Sequence, residues 1–211
     1  MKKYIFFDFD GTISDARKIA VESLKKTLED FGRRYDDKMK KFLGERMEIA
    51  FKKLGIKENQ IKSFRRRYYR YFKKAALNGG IKLCVSMGPL FELKKEGYRL
   101  IVVSNAETSF IKACARKLKV KKLFKKIYGA NKFKTKNEFL KKLFKKYKIR
   151  PQDTFYIGDR FSDVEFAKKV GCVSVAIHNK CSWSSLQDVV KEKPDFLIKD
   201  FKGLRKIVRN F

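Results

Sequence analysis

Tyr4-Ile5-Phe6-Phe7-Asp8-Phe9-Asp10-Gly11-Thr12 decides the architecture, because an unbroken apolar run ends in two carboxylates, a glycine and a hydroxyl. Apolar residues on both faces mark a strand covered on both sides, as in a parallel sheet flanked by helices. We expect this strand over Tyr4–Phe9, and further ones over Leu100–Val103, Ile127-Tyr128, Thr154–Ile157 and Val173–Ile177. Between them lies helical periodicity. Phe139, Leu140, Leu143, Phe144 and Tyr147 share one face of a helix that a Thr135-x-x-Glu138 capping box can start, and Pro151 lies beyond its end. The repeating order predicts a doubly wound, Rossmann-like α/β core.

Residues 15–80 break that rhythm with three helical patterns and no strand. Ala16, Ala20, Leu24 and Leu28 mark the first, which stops near Gly32; Met39 to Leu54 mark a second, interrupted near Gly44. The third carries Ile61, Phe64, Tyr68, Phe72 and Ala75, with Asn78-Gly79-Gly80 to end it. The expected division is therefore a core of residues 1–14 and 81–211 with a helical cap of 15–80 inserted after the first strand. The aromatic run Tyr68, Tyr69, Tyr71 and Phe72 reads as packing between the two.

The chain has 211 residues with 44% hydrophobic positions, enough for one domain with an insertion and too apolar for wholesale disorder. No run suits a membrane helix or a signal peptide, so a cytoplasmic protein is expected. The four cysteines form no CxxC pair and read as buried thiols in a reducing compartment. The only histidine, His178, follows an apolar run and has no second histidine with which to share a metal.

The chemistry gathers at strand ends. Residues two apart in a strand point the same way, so Asp8 and Asp10 are expected to emerge together at its C-terminal edge, where open parallel sheets bind ligands. Two close carboxylates repel and call for a cation, and Mg²⁺ prefers oxygen ligands. Gly11 lets backbone amides approach an anion. Asp159, at a second strand end, suits the metal's oxygen shell, while Asp163 lies one turn on and suits orienting a ligand; capping of the following helix is the plainer reading of both. Ser104 and Asn105 end a third strand with a hydroxyl and an amide that suit phosphate oxygens.

These motifs, with MGPLFELKKEGYRLIVVSNA (87–106) and YIGDRFSDVEFAKKVGC (156–172), resemble the haloacid dehalogenase-like hydrolases over nearly the whole chain, and most of all their phosphoglycolate phosphatase and sugar-phosphate phosphatase branch. The resemblance implies phosphoryl transfer through an aspartyl-phosphate on Asp8, with Asp10 as general acid and base. It implies Mg²⁺ held by Asp8, the backbone carbonyl of Asp10, and Asp159, supported by Asp163. Thr12 and Ser104 would bind phosphoryl oxygens, and Arg46, in a cap loop after Gly44, would touch the rest of a small phosphorylated metabolite. A charge-cancelling lysine is also implied; spacing allows Lys134 or Lys136, and Lys136 is preferred as the first-turn residue after the Thr135 cap. A phosphomutase using the same residues is the nearest alternative.

The formal net charge is +31. Residues 117–150 hold 15 Lys or Arg against Glu138 alone, and residues 57–75 hold eight against Glu58 alone. Such a field attracts anions and binds nucleic acid at low salt, so a nucleic-acid-binding or end-processing protein is the alternative of a different class. Solvated helix faces and compositional bias are the plainer account. A monomer or homodimer with no membrane partner is expected.

Overall fold

The computed structural model describes residues 3–43 and 45–211. In chain order its strands are β1 (Tyr4–Phe7), β2 (Ser14–Asp15), β3 (Lys82–Leu83), β4 (Arg99–Val103), β5 (Lys126–Tyr128), β6 (Phe155–Gly158), β7 (Val173–Ile177) and β8 (Phe196–Ile198). The α-helices are α1 (Arg17–Asp30), α2 (Met47–Lys53), α3 (Glu58–Ala75), α4 (Gly88–Lys95), α5 (Thr108–Lys117), α6 (Lys136–Tyr147), α7 (Phe161–Val170), α8 (Leu186–Lys191) and α9 (Phe201–Asn210).

Among the described residues, six strands form one sheet in the order β5-β4-β1-β6-β7-β8, and every neighbouring pair is parallel. The chain steps from β1 to β4 and β5 on one side, then returns to β6 on the other. The C-terminal end of β1 therefore lies at the switch point, where such sheets hold their ligands.

Strand alternation sorts the core into two faces. Ile5, Phe7, Leu100, Val102, Phe155 and Ile157 pack toward α5 and α9, whose Ile111, Cys114, Phe201 and Leu204 join the same cluster. Tyr4, Phe6, Ile101, Val103 and Tyr156 face α6 and α7 through Leu140, Phe144, Phe166 and Val170. This two-sided burial is why the strands read as continuous apolar runs.

The helical insertion stands on β2 and β3, an antiparallel pair that couples Ser14 to Leu83 and Asp15 to Lys82. Its core joins Phe51 to Phe64 at 4.7 Å between ring centroids, and Phe72 stacks on Phe110 of α5 at 4.4 Å. Tyr69 also reaches Phe110, whereas the hydroxyl of Tyr71 donates to Asp30 within the insertion. The first and third expected helices form as α1 and α3. The second is divided into a 3-10 stretch, Asp37–Phe42, and α2; the interruption expected at Gly44 lies outside the described residues.

Three differences from expectation have local causes. β1 stops at Phe7, although the Asp8 amide still donates to Ile157 O at 2.8 Å; Phe9 instead opens a turn in which its carbonyl accepts from Ile13 and Ser14. β8 escaped notice because it spans three residues and exposes Leu197. β2 and β3 are two residues each, too short to carry a period.

All four cysteines are free and buried. His178 follows β7 and its amide pairs with Ile198 O. Among the described residues, no helix is long and apolar enough to cross a membrane.

Candidate active site

Three strand ends and two helix starts build the site. Asp8 follows β1, Ser104 follows β4, Asp159 follows β6, and Lys136 opens α6. Thr135 caps that helix by accepting from the Glu138 amide at 3.3 Å, which sets the first turn of α6 against the sheet edge. Asp163 sits in the first turn of α7, where its Oδ2 accepts from the Arg160 amide at 3.2 Å. It therefore caps its helix and also reaches the cluster.

Asp8, Asp159 and Asp163 each offer a carboxylate oxygen within 4.8 Å of the others, and all three are buried. Lys136 Nζ stands among them, 3.2 Å from Asp8 Oδ1 and 3.1 Å from Asp163 Oδ1. It also donates to Tyr156 Oη at 3.0 Å, and that hydroxyl in turn donates a hydrogen bond to Val103 O at 3.0 Å. Lys134 is exposed, and its backbone carbonyl accepts from Arg46.

The electrostatics leave a deficit of positive charge. At an effective dielectric of about 20, each carboxylate pair at this separation repels by roughly 3 kcal/mol. One ammonium against three carboxylates still leaves the ionised cluster with more negative than positive charge. Burial accordingly pushes Asp8 above the usual carboxylate range despite Lys136, and burial with Asp163 nearby pushes Asp159 well up. Burial would pull Lys136 down, but Asp163 and Asp8 hold it well above its ordinary value. A divalent cation fits this donor set, since all three oxygens are hard ligands and the excess charge is negative.

Asp10 stands apart from the three. Its Oδ1 accepts from Ser14 Oγ at 2.8 Å, and burial pushes it up to about 7. Asp8 and Asp10 do line one small cavity of about 30 Å³, roughly the room of a water molecule, with Ser104, Asn105, Tyr69 and Trp183. The insertion supplies its roof.

Other expected residues are placed differently. Thr12 Oγ1 donates to Asp159 Oδ1 at 3.1 Å, so its hydroxyl holds a carboxylate in this structure. Arg46 lies outside the Asp8 cavity, in an adjoining crevice with Asn105 and Asn131. Its guanidinium donates to Phe133 O at 2.8 Å and pairs with Glu48, which also binds Arg65. These contacts tie the insertion to the loop before α6.

Two glycines are required by carboxylate packing. A Cβ on Gly158 would stand 2.4 Å from the Asp163 carboxyl group, and one on Gly11, at φ +88°, would stand 2.4 Å from Asp159 Oδ2. We expect Gly158→Ala to lower stability by about 1–3 kcal/mol, read as a drop in thermal midpoint with native secondary structure kept. A midpoint equal to that of the parent protein refutes the close packing.

Sequence reasoning missed Tyr156, which anchors Lys136, and Trp183, whose amide donates to Asp159 Oδ2 at 2.7 Å. Tyr156 carried a signal, being a polar-tipped residue on a strand three positions before Asp159. Trp183 carried none beyond being the only tryptophan.

Together, the parallel sheet, the inserted helices and the carboxylate cluster at the switch point define a Rossmann-like α/β protein with an acidic site at its ligand-binding edge. The model of the haloacid dehalogenase-like hydrolase family matches residues 5–177, and the chain belongs to that family. It is similar to a phosphoglycolate phosphatase of Aquifex aeolicus, 28% identical over 93% of this chain and 95% of the relative. A phosphoglycolate phosphatase of Pasteurella multocida is 23% identical over 98% of each chain. A crystal structure of a predicted phosphatase from Clostridium acetobutylicum shares the fold at a TM-score of 0.87, with 24% identity over the whole of both chains. The chain is a phosphatase of the phosphoglycolate phosphatase-like branch.

Proposed function

We propose that the protein hydrolyses a small phosphate monoester, of phosphoglycolate or sugar-phosphate type, through an aspartyl-phosphate on Asp8 and with Mg²⁺. The buried cluster of Asp8, Asp159 and Asp163 around Lys136 is the observation that carries this reading.

In this account one Asp8 oxygen attacks phosphorus while Asp10 protonates the departing ester oxygen. Asp10, now a carboxylate, takes a proton from water, and that water releases phosphate from Asp8. Lys136 cancels charge between Asp8 and the phosphoryl group and holds the attacking carboxylate in place. Ser104 and Asn105 meet the phosphoryl oxygens, and Thr12 holds Asp159. Asp8, Asp159 and the carbonyl of Asp10, braced by Asp163, would hold Mg²⁺, which supplies positive charge to the transferred group.

The division into a core of 1–14 and 81–211 and a cap of 15–80 belongs to the same reading. The cap shields the acyl phosphate from bulk water and admits substrate by opening. A cavity with the room of one water molecule admits an ester only when the cap opens, and the substrate named for the Aquifex relative, phosphoglycolate, is a short one.

The test is protein stripped with EDTA and screened against phosphorylated metabolites with and without Mg²⁺. Turnover of a short ester is expected only with the metal. Mg²⁺ at 100 times its Kd is also expected to raise the thermal midpoint by about 5–10 °C, because it binds the folded state alone. A panel with no hydrolysis, or a midpoint indifferent to Mg²⁺, contradicts the proposal.

A further inference from the structure

A cluster of cations lies away from the catalytic cavity. Lys73 at the end of α3, Lys112, Arg116 and Lys117 of α5, and Lys132 of the loop after β5 line one open groove of about 770 Å³. No carboxylate lines it. All five cations are exposed, and among the described residues none forms an ion pair or donates a side-chain hydrogen bond. Some cations elsewhere on this surface are partnered, as where Arg205 and Arg209 share Glu96 and Arg67 meets Asp30, and others stand singly; these five are set apart by facing one groove that no carboxylate lines. An unpaired set facing one groove is the arrangement that gains most from a polyanion.

We propose that this groove binds the phosphodiester backbone of double-stranded nucleic acid, without reading its sequence. Lys112 and Arg116 stand one turn apart on α5, forming a row along one wall. The positive end of the α5 dipole, at Thr108, opens into the same groove. No aromatic side chain lines it, whereas single-strand sites stack bases on aromatic rings. Contacts to phosphate alone suit a duplex. The groove shares only Asn131 with the crevice of Arg46, which in turn meets the Asp8 cavity, so binding leaves the catalytic residues free.

The experiment measures binding of a fluorescent 20-base-pair duplex to the full chain as salt is raised. Five contacts predict a slope of log K against log salt of about −4.5, and removal of two predicts about −2.7. The double variant Lys112→Gln with Arg116→Gln is therefore expected to bind roughly tenfold or more weakly at 0.1 M salt. The control is Lys141→Gln with Lys145→Gln, exposed on α6 across the sheet, which should leave binding unchanged. Aryl-phosphate turnover in every variant should equal that of the parent, reporting an intact fold. Equal weakening by groove and control variants would mean a diffuse field and overturn the site. Absence of duplex binding, or tighter binding of a single strand of the same length, would overturn it as well.

Discussion

Turnover of a generic aryl phosphate is expected to fall by about 10⁴-fold or more in Asp8→Asn, because the amide cannot attack phosphorus and no neighbouring group stands where Asp8 does. The folded state should survive. Asn has the same shape, keeps an acceptor 3.2 Å from Lys136, and removes one charge from a cluster that already carries too much negative charge. A thermal midpoint equal to or above that of the metal-free parent is the expected companion result. Activity within tenfold of the parent would eliminate Asp8 as nucleophile, and with it the aspartyl-phosphate route.

Lys136→Met is expected to lose both activity and stability. Its side chain is only 11% exposed and touches Asp8, Asp163 and Tyr156 at once. Deleting the ammonium leaves those carboxylates uncompensated, at a cost of about 3–5 kcal/mol, or roughly 6–20 °C in midpoint for a chain of this size. Loss of charge stabilisation on the transferred phosphoryl group should lower kcat by about 10²–10³-fold. Lys134→Met is the matched control, since Lys134 is exposed and its side chain has no ion-pair partner among the described residues. It should change stability by less than about 0.5 kcal/mol and turnover by no more than a few fold. If the Lys134 variant were the inactive one, the charge-cancelling role would move to that residue. Partial rescue by Lys136→Arg is not expected, because a planar fork does not fit a site built around three acceptors of one ammonium.

The pair Lys134 and Lys136 shows where local reasoning runs out. Both lie beside Thr135, and a helix start was legible from Thr135 and Glu138. Which lysine turns toward the sheet depends on how α6 seats Leu140, Leu143 and Phe144 against Phe6 and Tyr156, and that packing involves residues far along the chain. Thr12 makes the same point. A hydroxyl beside two aspartates suits phosphate, yet its partner in the structure is Asp159, 147 residues away. Arg46 is similar, since its guanidinium is engaged by Glu48 and by carbonyls on the loop before α6.

The strands β1, β4, β6 and β7 were legible because burial on both faces writes itself into the chain as an unbroken apolar run. Asp8 and Asp159 were legible as strand ends for the same reason, and α1, α3 and α6 through their periodic apolar faces. The order of the strands was not written locally. It follows from β6 returning beside β1, and only that return brings Asp8, Asp159, Asp163 and Lys136 within a few ångströms of one another. Residue type and period depend on each segment's own burial, whereas distances between strand ends depend on which segments become neighbours. Composition and spacing thus determined the elements and the acidic residues they carry, while the closed tertiary fold decided the partner of each charge.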